Sequence, residues 1–239
     1  MINLAVSGCQ GRMGQSITRL ALEDKTFNLS ALLEHKDHPK VNETVHDLKI
    51  SADNSSLKGS DVLIEFTSPE ATLDNLHACL VHGIKMVIGT TGFQPEHVSQ
   101  IKEAAKKIPI VFASNMSVGV NILFKLTQIA SEKTGEAYTI NMAETHHIHK
   151  KDSPSGTAKT MAEIAENASK TKVNNIESLR KGEVIGDHSV TFESNEDIIN
   201  ISHHAKTRDI FAKGALVAAK FLANKDKGLF NMQDVLGLN

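Results

Sequence analysis

A chain of 239 residues is long enough for one large domain or two modest ones, each burying a real core. A formal net charge of -2, no tryptophan and a single tyrosine, Tyr138, argue against a polyanion partner or a base-stacking platform, so no nucleic acid is expected. The two cysteines, Cys9 and Cys79, have no metal or disulfide spacing and fit a reducing cytoplasm. Met1 leads straight into an apolar strand without a basic leader, and no apolar run approaches the roughly 20 residues that span a bilayer, so neither a signal peptide nor a membrane is expected.

Residues 1–113 alternate strand-like and helix-like patterns. A strand over residues 2–7 ends at Gly8 and leads into a helix over 13–22. Further strands are predicted over 29–33, 62–66, 85–88 and 110–113. The run Val62-Leu-Ile-Glu-Phe66 is continuous and apolar, as a parallel strand buried on both sides would be. Helices are predicted from Pro69, with proline in the first turn, and over 95–107. This alternation predicts an α/β, Rossmann-like, doubly wound parallel sheet.

The pattern changes after Asn115. A helix over 118–133 leads to an alternating strand over 138–144, then a polar, histidine-rich loop and a helix over 157–169. Two further runs, 189–193 and 197–202, flank Ser194-Asn195-Glu196 as a hairpin. This half reads as α+β, built on a mixed or antiparallel sheet. A last long helix, 208–223, returns to the first domain in this reading, giving domains of 1–114 completed by 209–239, and of 115–208.

The loop Gly8-Cys9-Gln10-Gly11-Arg12-Met13-Gly14 sits between the first strand and its helix. Glycines there let the backbone approach a pyrophosphate, and the helix N-terminus adds free N–H donors. The spacing G-x-x-G-x-x-G is looser than G-x-G-x-x-G and by itself is weak. Its context is stronger, because Glu34 ends the next strand, where a carboxylate can accept from ribose hydroxyls. Glu34 opposes a 2′-phosphate while His35 and Lys36 attract one, which leaves NADH against NADPH open. Gly89-Thr90-Thr91-Gly92 and Ala113-Ser114-Asn115-Met116 follow later strands on the same edge, so a dinucleotide crevice is expected there.

The densest chemistry lies between Glu144 and Thr157. Residues 146–151 hold His146, His147, His149, Lys150 and Lys151, which place groups titrating near neutrality beside fixed positive charge. Ser155-Gly156-Thr157 then opens a helix whose N–H groups suit a carboxylate. Together they suit a small anionic substrate that needs a proton. Three histidines near Glu144 or Asp152 also raise zinc, but the adjacent lysine opposes a cation, and no metal is expected. A solvated loop with a capped helix is the plain alternative. His203 and His204 either join the site or are polar residues at a strand end.

These residues resemble the dihydrodipicolinate reductase family over nearly the whole chain. The most specific segment is E-x-H-H-x-H-K-x-D-x-P-S-G-T-A from Glu144 to Ala158, supported by Asn115-Met-Ser-Val-Gly-Val-Asn121. The resemblance implies that Gly8 to Met13, Glu34, Gly89 to Thr91 and Ala113 to Met116 contact NADH or NADPH. It makes 1–114 the dinucleotide-binding domain and 115–208 the substrate-binding and oligomerisation domain. It further implies that His146 and Lys150 handle a proton, that His147, Gly156 and Thr157 hold a cyclic imine dicarboxylate, and that the enzyme is a cytoplasmic homotetramer. Where many members have Arg after the ribose-binding acid, this chain has His35, so NADPH preference does not follow. Two other readings stand beside this one: another two-domain reductase, of the semialdehyde type, and a dinucleotide sensor without catalysis.

Overall fold

The computed structural model describes all residues from Met1 to Asn239. Its strands in chain order are β1 (Ile2–Ser7), β2 (Phe27–Leu33), β3 (Thr44–Val45), β4 (Leu48–Ser51), β5 (Val62–Glu65), β6 (Lys85–Ile88), β7 (Pro109–Phe112), β8 (Thr139–His146), β9 (Asn175–Arg180), β10 (Asp187–Glu193), β11 (Ile198–His204) and β12 (Gly228–Phe230). The helices are α1 (Arg12–Glu23), α2 (Pro69–His82), α3 (Pro95–Ala104), α4 (Val118–Thr134), α5 (Gly156–Ser169), α6 (Asp209–Leu222) and α7 (Met232–Leu236). They form two compact units, one of Met1–Ser117 with Asp209–Gly237, the other of Val118–Arg208.

The first unit is an eight-stranded sheet in the order β12-β7-β6-β5-β1-β2-β4-β3. Every neighbouring pair is parallel except β3–β4. The chain steps from β1 to β2 on one side and later to β5 on the other. The crevice of a doubly wound sheet opens at such a reversal, past the strand C-termini. The four residues of β5 are buried, as their unbroken apolar run requires when helices cover both faces.

Each face has its own core. Ile17 and Ala21 of α1 meet Ala212, Ala215 and Ala219 of α6 over Leu4, Val6 and Ile64. On the other face Leu76 and Cys79 of α2 and Ile101 of α3 cover Leu63, Met86 and Ile110. Each fully buried Leu or Ile adds about 1.5–3 kcal/mol of burial free energy. Gly214 lets α6 lie directly on the chain leaving β7, since a Cβ there would sit 1.7 Å from the Met116 carbonyl oxygen.

The second unit is a four-stranded sheet in the order β11-β10-β8-β9, antiparallel but for the parallel β8–β9 pair. Strict alternation along β8 and β10 sends Ile140, Met142, Val190 and Phe192 into a core with Val120, Leu123 and Phe124 of α4 and Met161 of α5. The opposite face carries Asn141, Ala143, Ser189 and Thr191, none of them buried.

Some boundaries differ from the sequence reading. β8 continues two residues past Glu144, because Thr145 pairs with Asp187 and His146 with Arg180. His146 therefore closes a strand and does not lie in the loop. Likewise β11 extends to His204, so His203 and His204 lie within a strand. Glu34 falls one residue beyond β2, and β3, β4, β9 and β12 were not anticipated. No helix is long and apolar enough to cross a membrane.

Candidate active site

In the first unit the glycine loop leaves β1 at the reversal point. Gly8 has φ +72°, a left-handed conformation that glycine adopts without strain. Gly14 permits the loop to lie on α1, since a Cβ there would sit 2.1 Å from the Gly8 carbonyl oxygen. Gly11 occupies the N-cap position of α1, and no side chain caps the helix there. Its first N–H donors stay directed at the loop, which is the arrangement a pyrophosphate requires. The residues thus fit a dinucleotide on geometry as well as on spacing.

A cleft of about 650 Å³ runs beside this loop, lined by Gly8, Gly11, Glu34, His35, Lys36 and Thr67 among others. Glu34 is drawn to the loop: its carboxylate accepts from Gln10 N at 2.8 Å and from its own neighbour, His35 N, at 2.9 Å. Lys40 Nζ donates to Gln10 Oε1 at 3.1 Å, a basic contact that the sequence reading missed. Arg12 is exposed and Met13 half-buried at the start of α1. Cys9 and Met116 turn into the core, with 2% and 1% exposure, so their side chains are closed to a ligand. Burial, with Glu34 nearby, pushes the Cys9 thiol up to about 11.

The other loops at this edge differ in what they offer. Gly89 N donates to the Glu65 carbonyl at 3.0 Å, Thr90 is buried and Thr91 is exposed. Ala113 is half-buried and Ser114 exposed, while Asn115 Oδ1 accepts from Ser117 N at 2.8 Å and shapes the turn.

In the second unit the polar side chains converge at the end of β8. Glu144 is fully buried, and Arg180 from β9 grips it with both nitrogens, Nη2 to Oε1 at 3.0 Å and Nη1 to Oε2 at 3.2 Å. His146 Nδ1 meets the same carboxylate, and Ser155 N donates to it at 3.2 Å. Burial pushes Glu144 up, but the Arg180 and His146 hydrogen bonds outweigh it and hold the carboxyl below its usual range. For His146 burial prevails over Glu144, so its pKa is lowered, with Lys150 and Arg180 adding to the effect. Neutral His146 then gives its Nδ1 proton to Glu144 and leaves Nε2 open. Space beside Nε2 is kept by Gly186, where a Cβ would lie 3.1 Å away.

His188, across from Glu144 on β10, packs edge-on to His146 with centroids 5.0 Å apart. Its Nε2 lies 3.3 Å from Ser155 Oγ, the hydroxyl that caps α5 by accepting from Ala158 N at 3.2 Å. Burial lowers the His188 pKa to about 4. Lys150 Nζ pairs with Asp152 at 2.9 Å, and Arg180 donates to the Asp152 carbonyl at 2.6 Å. His147 is half-buried, and desolvation together with Arg208 lowers its pKa. Gly156 and Thr157 form the first turn of α5, with open space at the Gly156 Cα.

The structure therefore brings His146, Lys150 and the α5 N-terminus together with three residues not singled out as site residues from sequence: Glu144, Arg180 and His188. Glu144 heads the segment that carries the family resemblance, where the sequence suggests for it no role beyond zinc ligation. Arg180 and His188 are distant in sequence and carry no local signal. His203 faces the core side, level with His188, whereas His204 faces the other way and pairs with Asp187 at 2.5 Å. No cluster of His, Cys, Asp and Glu has the arrangement of a metal site.

Comparison with known proteins covers both units. Residues 2–116 match the family profile described as "Dihydrodipicolinate reductase, N-terminus", and residues 119–236 match "Dihydrodipicolinate reductase, C-terminus". A 4-hydroxy-tetrahydrodipicolinate reductase of Nitrosomonas eutropha is 43% identical over 265 residues, covering 100% of this chain and 99% of the relative. One from Pelagibacter ubique is 42% identical, with 98% of each chain covered. Among solved structures, dipicolinate-bound dihydrodipicolinate reductase from Paenisporosarcina sp. TG-14 superposes with a TM-score of 0.83 over 98% of both chains at 23% identity, which shows the fold is shared.

Proposed function

This chain belongs to the dihydrodipicolinate reductase family, and on that premise we propose that it reduces 4-hydroxy-tetrahydrodipicolinate to tetrahydrodipicolinate with NADH or NADPH, in the diaminopimelate route to lysine. The observation that carries the reading is the Glu144–His146–Arg180 cluster beside Lys150 at the mouth of α5. Such a cluster moves a proton, Lys150 and the α5 N–H groups suit a carboxylate, and a dinucleotide sensor needs neither.

A reduced nicotinamide held in the first unit would supply hydride to a conjugated ring carbon of the imine. One proton and the hydride are consumed, and the 4-hydroxyl oxygen leaves as water. His146 and Lys150 supply the proton, which is general-acid work. Glu144 accepts from Nδ1 and favours the imidazolium, whose Nε2–H is the proton available on the open side, and Arg180 keeps Glu144 ionised. Lys150, His147 and the N–H groups of Gly156 and Thr157 neutralise and orient the substrate carboxylates. In the first unit, Gly8 to Met13 would hold the pyrophosphate, Glu34 the ribose, and Gly89 to Thr91 with Ala113 to Met116 the remainder of the dinucleotide. Residues 1–114 with 209–239 form the dinucleotide-binding domain in this reading, and 115–208 the substrate-binding and oligomerisation domain.

The enzyme is cytoplasmic and homotetrameric in the same reading. Support for assembly comes from the uncovered face of the second sheet, where Ile198 and Leu179 are 63% and 49% exposed among small polar residues. Light scattering tests the tetramer. The reaction is tested by generating the unstable imine in situ and following loss of reduced-nicotinamide absorbance with NADH and NADPH separately. Oxidation dependent on the imine is expected. Oxidation with a semialdehyde and none with the imine would overturn the assignment.

A further inference from the structure

Glu65 is the buried ionisable group that this chemistry leaves unused. It ends β5 at the edge where the cleft opens, is 0% exposed and forms no ion pair. Three threonine hydroxyls surround its carboxyl group. Thr67 Oγ1 and Thr90 Oγ1 lie 2.6 and 2.7 Å from Oε2, and Thr72 Oγ1 lies 3.1 Å from Oε1.

The protons can be counted. Thr90 Oγ1 accepts Thr67 N–H at 2.7 Å, so its own proton points to Oε2. Thr67 also gives its proton to Oε2, since its other acceptor, Ser68 O, is 3.4 Å away. Thr72 has a nearer acceptor in Ser68 O at 2.9 Å, which leaves its oxygen facing Oε1 as an acceptor. Every partner is satisfied when Oε1 carries a hydrogen and donates it to Thr72.

We infer that Glu65 is held as a neutral carboxylic acid, and that it is a positioning residue tying the Phe66–Ser68 segment to the Gly89–Thr91 turn. Burial pushes its pKa up and prevails over the Thr67 and Thr90 hydrogen bonds, which favour the charged form. No cation answers an ionised form. Its register neighbours on β1 and β6 are Ser7 and Ile88, and from α2 it faces Cys79, whose thiol burial pushes up.

The tie reaches the cleft directly. Phe66, Thr67 and Ser68 line it, and the Phe66 ring lies so close to Gly89 that a Cβ there would be 2.3 Å from the ring. Holding Thr67 to Thr90 therefore fixes the Phe66 ring and the Gly89 backbone as one wall. The inference rests on the reading that this cleft receives the dinucleotide.

Glutamine reproduces the neutral acid, its carbonyl accepting from Thr67 and Thr90 and its amide donating to Thr72. The test is infrared spectroscopy in D2O at pH 8, where exposed carboxylates are ionised, together with NADH and NADPH titration by fluorescence. A carboxylic-acid carbonyl band is expected in the wild type and absent in Glu65→Gln. Glu65→Gln should keep dinucleotide affinity within about twofold, whereas Glu65→Ala should weaken it about tenfold or more with dipicolinate binding unchanged. Thr90→Val, which cuts one tie and leaves the acid in place, should also weaken the dinucleotide and serves if the alanine variant does not fold. No carbonyl band, or a glutamine variant as weak as the alanine one, would overturn the neutral acid. Wild-type affinity in Thr90→Val would overturn the positioning role. A wild-type protein that binds neither NADH nor NADPH would instead defeat the proposed function, with the infrared band still deciding the state of Glu65.

Discussion

Replacing Glu144 by Gln tests how the second unit's proton chemistry is organised. The amide keeps the shape and can still accept from Arg180 through its carbonyl, but it turns an N–H toward His146 Nδ1. Glu144 is the influence that raises the His146 pKa against burial, so its removal lowers that pKa further. Less His146 is then protonated at neutral pH, and turnover falls. A positioned proton donor contributes about 100- to 10,000-fold, and a loss of about 100-fold at pH 7 is expected, partly regained toward acid.

The stability change has a separate scale. Breaking a buried ion pair costs about 3–5 kcal/mol. Arg180 is 20% exposed and keeps hydrogen bonds of 2.6 Å to the carbonyls of Asp152 and Leu179, so the cost here is about 1–2 kcal/mol. At about 2–4 °C per kcal/mol in a chain of this length, the melting temperature drops by about 2–8 °C. The assay is kcat by loss of reduced-nicotinamide absorbance from pH 5.5 to 8.5, with NADH affinity by fluorescence as a control. Because Glu144 and the glycine loop belong to different units, NADH affinity should stay within about twofold. A variant whose kcat matches the wild type across this range would refute the role given to Glu144 and assign the proton to Lys150 alone.

His188 makes a pH-dependent contribution to stability. Its pKa is about 4 in the folded protein against 6.5 unperturbed, so the unfolded chain takes up a proton that the native state refuses. Stability from this source is full above pH 6.5 and declines by about 3 kcal/mol as pH falls to 4. Urea unfolding should show a flatter decline in His188→Gln, and equal slopes would refute the assignment. Gly214→Ala forces a methyl group against the Met116 carbonyl and should cost about 1–3 kcal/mol; an unchanged melting temperature would show that α6 shifts freely. Asp152→Asn releases Lys150 from a half-exposed pair worth about 1 kcal/mol or less. Dipicolinate affinity by calorimetry should then rise by up to about fivefold, and weaker binding would mean that Asp152 instead holds the loop in place.

What the sequence determined by itself was whatever is encoded within a few neighbouring residues. The glycine loop, the buried parallel strands, the hairpin around Ser194–Glu196 and the string from Glu144 to Ala158 rest on short periods and fixed local spacings. Boundaries shifted where pairing with another strand decides them, as when His146 joined β8 through its register with Arg180. The short strands β3, β4 and β12 carry too few residues for a period to show, and β9 has too few apolar side chains.

Only the tertiary structure decided which distant side chains meet. Arg180 reaches Glu144 because β9 pairs in parallel with β8, and His188 lies beside it because β10 pairs on the other side. Glu65 reads in sequence as one polar residue within the apolar strand over 62–66, and its partner Thr90 lies 25 residues away. Register and sheet order, set by the packing of whole faces, turn such isolated polar residues into networks, and no local pattern carries that information.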